Sequence, residues 1–133
     1  MDTGVLHEAF VLAMHGTSVA KARHRTVEWL LRHSVSQDAA DTVELITSEL
    51  VTNALVHSVS DVISCGLQLD DGRLRIEVTD QGAYEVEPTI RQPCLEDVSG
   101  RGLLLVEMLS EEWGVIPVLP CGRTVWAVVR THP

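Results

Sequence analysis

The spacing of apolar residues changes period partway along the chain. Ala39, Val43, Ile46, Leu50 and Ala54 recur every three or four positions, and no Gly or Pro interrupts residues 36–58. That periodicity predicts one long amphipathic helix. Ser36 suits its N-cap, and Asp38 in the first turn favours the helix dipole. From Asp61 to Leu69 the period drops to two, with Ile63, Cys65, Leu67 and Leu69 on one side. Asp71-Gly72 then predicts a tight turn, and Leu74, Ile76 and Val78 repeat the alternation up to Thr79-Asp80-Gln81-Gly82. Together these predict a β-hairpin.

The flanking segments are shorter. Residues 7–14 (HEAFVLAM) are apolar and precede Gly16, which suits an opening strand. Thr17-Ser18 offers a cap for a helix reaching about residue 34, with Val19, Ala22, Val27, Leu30 and Leu31 on an apolar face to which Trp29 adds. Lys21, Arg23, Arg25 and Arg32 make the other face basic, either a solvated surface or a contact for an acidic partner. Residues 83–99 hold Pro88 and Pro93 and read as a long loop. Gly100-Arg101-Gly102 opens the apolar run LLLVEMLSEEW, expected to be helical to Trp113. Residues 115–119 and 124–129 predict a closing hairpin around Pro120-Cys121-Gly122-Arg123. Hairpin-linked strands with helices gathered between them favour a two-layer α/β sandwich with a mostly antiparallel sheet.

Composition narrows the partners. A chain of 133 residues suits a single domain, here 1–133, and a 45% apolar content is that of a globular protein. A formal charge of −9 argues against nonspecific nucleic-acid binding but leaves a small anion pocket open. Cys65, Cys94 and Cys121 are odd in number and lack metal-ligand spacing, which fits free thiols in a reducing compartment. No signal peptide or membrane-length apolar run is evident, so a cytoplasmic protein is expected.

Three places hold candidate chemistry. Glu49 and Asn53 lie one helical turn apart and should face the same space. Alone, the pair fits an ordinary polar helix edge better than a site. In a cleft, the Asn amide oxygen would be a hard ligand for Mg2+, and Glu49 could orient or deprotonate an attacking hydroxyl. His57, a further turn along, reads as structural. Asp80 and Gly82 end a strand; this is either a turn or an acceptor for an adenine amine beside a glycine that lets the base approach. Gly100-Arg101-Gly102 before a helix either closes a loop or exposes amides, with Arg101, to phosphate. The chain has no GxxxxGK[ST] loop and no dinucleotide fingerprint, so a nucleotide would need another scaffold.

The ordered set ELVTNALVH (49–57), TDQG (79–82), GRGLLLVEML (100–109) and GRTVWAV (122–128) resembles the GHKL ATP-binding superfamily, and most of all the small serine-kinase-type anti-sigma regulators. The likeness runs from about residue 17 to the end. It implies a mixed sheet with helices on one face and a nucleotide lid over about 83–99. It makes Glu49 the general base, Asn53 the Mg2+ ligand and Asp80 the adenine-recognising acid with Gly82 beside it. Gly100, Arg101 and Gly102 would meet the phosphates, and Thr124 would support Asp80 and a base-bound water. One departure is Tyr84, which stands where the family commonly has a second box glycine; a Cβ there resists close ligand approach.

The resemblance implies ATP and Mg2+ as cofactors. Its implied partners are a sigma factor and a STAS-type anti-anti-sigma protein phosphorylated on Ser or Thr; many members form homodimers. The basic strip of the 17–34 helix lies where such regulators meet partners. The alternative is a non-catalytic module that sequesters a sigma factor or similar regulator, with a diverged nucleotide site. A stand-alone histidine-kinase catalytic domain fits less well, because the chain has no phosphoacceptor helix.

Overall fold

In the computed structural model, the described residues are 5–57, 61–80, 102–118 and 122–131. The chain runs β1 (Leu6–Ala13), α1 (Ser18–Arg32), α2 (Gln37–His57), β2 (Val62–Asp70), β3 (Arg73–Asp80), α3 (Gly102–Leu109), β4 (Glu112–Val118) and β5 (Gly122–Arg130). The strands form a single five-stranded sheet in the order β1-β2-β3-β5-β4, and each described pairing is antiparallel. This is the expected two-layer α/β sandwich.

Strand alternation gives the sheet two unlike faces. Ile63, Cys65 and Leu67 of β2, Leu74, Ile76 and Val78 of β3, and Val125, Ala127 and Val129 of β5 are all buried. They pack with Ala40, Val43, Ile46, Leu50 and Val51 of α2, Ala22 and Leu30 of α1, and Leu103 and Val106 of α3. Full burial of each large aliphatic contributes about 1.5–3 kcal/mol. The opposite face carries Arg73, Arg75, Glu77, Trp126 and Arg130, all partly or fully exposed.

Local signals explain the element ends. The Ser36 Oγ accepts a hydrogen bond from the Ala39 amide at 3.2 Å, the N-cap expected for α2. Asp71 and Gly72 have φ of 53° and 83°, the left-handed pair that a two-residue hairpin turn requires. At α1 the cap is different. Thr17 occupies the N-cap position without a side-chain cap bond. The Ser18 hydroxyl instead donates to the Ala13 carbonyl and accepts from the His15 amide, so it ties the helix start to β1.

Two expectations are corrected. Leu31 lies outside the buried face of α1 at 44% exposure, while Trp29 is buried. The third helix ends at Leu109 rather than Trp113, because the Ser110 hydroxyl turns back to the Val106 carbonyl and the Glu111 amide donates to Val128 of β5. Glu112 and Trp113 are therefore the first residues of β4, paired with Val128 and Ala127.

Candidate functional site

Three of the candidate features stand on elements that pack together on the helix-covered side of the sheet, α2, β3 and α3. The start of α2 lies beside the β2–β3 turn: Val35 lines a common cleft with Asp71, Gly72 and Thr131. From Gln37, Asn53 is sixteen helical residues on, about 24 Å. From Arg73 at the same turn, Asp80 is seven strand residues on, about 23 Å. Asn53 is thus about as far from that turn along α2 as Asp80 is along β3. The third helix packs against α2. The chain after its end joins the sheet where the Glu111 amide donates to the Val128 carbonyl of β5.

The burial of the side chains fits a polar site at the margin of the core. Asn53 is 6% exposed and so is not turned into solvent, and Glu49, one turn before it, is half-buried. Both stand on the edge of the helix stripe formed by Ile46, Leu50 and Ala54. Asp80 is buried at the last position of β3, on the face covered by helices.

Thr124 does not support Asp80. In the β3–β5 register Thr124 is opposite Thr79 and Arg123 is opposite Asp80. Alternate residues project to opposite faces, so Thr124 points away from the helices. Its hydroxyl hydrogen-bonds that of Thr79 at 2.7 Å on the open face. The residue beside Asp80 is Arg123, which the sequence alone places only in a turn. It is 3% exposed, with Nε 3.7 Å from Asp80 Oδ2. Its signal was present: Arg123, Val125, Ala127 and Val129 share one period-two face, and all are buried.

Gly82, Gly100 and Arg101, together with Tyr84, His57's side chain and the expected lid at 83–99, lie outside the described residues. Gly102 is the first residue of α3. A depression of about 210 Å³ lies elsewhere, over Gly66 on the open face, bordered by His7, Gln68, Arg75 and Glu77.

Among the described residues no cluster of three His, Cys, Asp or Glu side chains could hold a metal by itself. An Asn amide oxygen is nonetheless a suitable donor for Mg2+, which takes few protein ligands and fills its octahedron with water and substrate phosphates. The residues present fit an ion bound together with a nucleotide. The basic strip on α1 is partly engaged within the chain: Arg23 pairs with Glu44 at 3.1 Å, and Arg25 reaches Glu8 at 3.5 Å and lies over the Phe10 ring.

Comparison with known proteins adds to this geometry. Residues 12–128 match the histidine kinase-like ATPase domain. The chain belongs to that family. A solved structure of the RsbU and RsbW domains of Rv1364c from Mycobacterium tuberculosis superposes with a TM-score of 0.69 at 23% identity. That match covers 96% of this chain and 32% of the other, so this chain spans about a third of the length of the protein it matches. At this identity the likeness shows a shared fold. A search of curated proteins gives no match. Seen as a histidine kinase-like ATPase domain, the five-stranded antiparallel sheet under three helices is the expected architecture. No described helix is long and apolar enough to cross a membrane.

Proposed function

We propose that this domain binds Mg-ATP where the second half of α2, the end of β3 and the start of α3 converge. It would act as a cytoplasmic anti-sigma regulator that phosphorylates a Ser or Thr of a STAS-type anti-anti-sigma protein. What supports this most is membership of the histidine kinase-like ATPase family, with buried Asn53 and Asp80 and half-buried Glu49 carried on α2 and β3, two elements that pack together.

The residue roles follow from their chemistry. Asp80 would accept a hydrogen bond from the adenine amine. The Asn53 amide oxygen would hold Mg2+, whose charge offsets that of the phosphates during transfer. Gly82, Gly100, Arg101 and Gly102 would supply amides and one guanidinium around the base and phosphates. Glu49 would orient the partner's hydroxyl and take its proton while the oxygen attacks the γ-phosphorus in line. A P–O bond forms to the partner, the bond to the β-phosphate oxygen breaks, and ADP leaves. Binding of the sigma factor, and any homodimer, would use protein surface outside this cleft.

The test is phosphate transfer from labelled ATP to a panel of STAS domains. Wild-type protein should label a Ser or Thr, and Glu49→Ala should lower the rate by about 10²–10⁴ while still binding ATP. Partner binding with no transfer by wild-type protein would instead indicate a sequestering module.

A further inference from the structure

The buried partner of Asp80 changes what its carboxylate can do. Asp80 and Arg123 face each other across β3 and β5, with side chains 5% and 4% exposed. A carboxyl group removed from water without a counter-charge favours its neutral, protonated form. In that form one oxygen is a donor and is a poor match for an amine, which needs an acceptor. An arginine stays charged under all ordinary conditions, so it supplies a constant counter-charge. The 3.7 Å separation between Arg123 Nε and Asp80 Oδ2 is an ion-pair distance rather than a hydrogen bond. It sets a counter-charge beside the carboxylate.

We infer that Arg123 is a positioning residue that sets base specificity: it keeps Asp80 ionised and aimed, so that the pair, rather than the acid alone, selects a 6-aminopurine. This rests on the adenine-nucleotide reading above. It also explains why an arginine is buried at the start of β5, where Val125, Ala127 and Val129 show that the same face otherwise takes apolar residues.

The discriminating measurement is a ratio of affinities. ATP is compared with purine riboside 5′-triphosphate, which has hydrogen in place of the 6-amine, on the full chain. Wild type should prefer ATP by about 10–100-fold, the range for a hydrogen bond to a charged group. Arg123→Met should reduce that preference to about threefold or less. Arg123→Lys, which keeps the charge, should retain most of it. A merely structural role would weaken both nucleotides together and leave the ratio unchanged.

An unchanged or larger ratio in Arg123→Met overturns the inference. A second readout needs no variant: at pH 7 the carboxyl carbon of Asp80 in wild-type protein should show the ionised chemical shift, and a protonated shift overturns it too. Wild type that binds both nucleotides equally overturns this inference alone. Wild type that binds neither overturns the nucleotide reading as well.

Discussion

The two faces of the sheet treat the same chemistry differently. On the helix side, Asp80 and Arg123 form an ion pair that is about 5% exposed; on the open side, Arg75 and Glu77 form one at 3.2 Å with 34% and 41% exposure. An exposed pair is screened by water and contributes little, whereas a buried pair is costly to break because it leaves one charge stranded. The length of an ion pair is thus a poor guide to its importance. The shorter contact is the weaker one in consequence, because solvent replaces whatever is lost.

Removal of one member of the buried pair should have the largest effect. Asp80→Ala is expected to destabilise the fold by about 3–5 kcal/mol in urea titration. A loss under about 1 kcal/mol would show that water reaches Arg123 and that the faces differ less than their burial implies.

Cys65, on the helix side of β2, comes next. Burial pushes its thiol from 9.0 up to about 12, with Arg25 opposing the shift. Between those values the unfolded chain binds fewer protons than the folded one, so stability falls as pH rises from about 9 toward about 12, by at most about 1.4 kcal/mol per pH unit. Below about pH 9 this contribution is fully present. At pH 8 the native thiol should alkylate about a thousand times more slowly than in the unfolded protein, read by peptide mapping.

The open face offers a packing test of smaller size. A Cβ on Gly114 would come within 2.8 Å of the Trp126 indole, which in turn has Arg75 stacked over it at 4.5 Å. Gly114→Ala should cost about 1–3 kcal/mol as the indole shifts. The smallest effect is expected for Glu77→Ala, within about 0.5 kcal/mol in the same titration.

Much of this contrast was legible in the sequence. The period-two runs through β2 and β3 identified the buried face, and Asp71-Gly72 fixed the turn that aligns them. Ser36 marked the start of α2, and the spacing of Glu49 and Asn53 put both on one edge of that helix. The third helix was overextended because Trp113 fits a helical apolar stripe continuing from Val106 and Leu109 as well as it fits a strand. Only pairing of Glu111 with Val128 decides between them, and that contact is nonlocal. Thr124 was misplaced for a related reason. Its role came from a matched motif, whereas the face it occupies depends on a register that a shift of one residue reverses. Arg123 went unnoticed because a buried arginine is rare, and its partner lies on another strand.

The proposed nucleotide site requires Asn53 and Asp80 to open onto one hollow. Calorimetric titration of the wild type and Asn53→Ala with ATP, with and without Mg2+, tests this most directly. Wild type should bind ATP more tightly with the metal, and Asn53→Ala should lose that enhancement while keeping its metal-free affinity. Absence of ATP binding by wild type under both conditions, or an Mg2+ enhancement unaltered by the substitution, would contradict it.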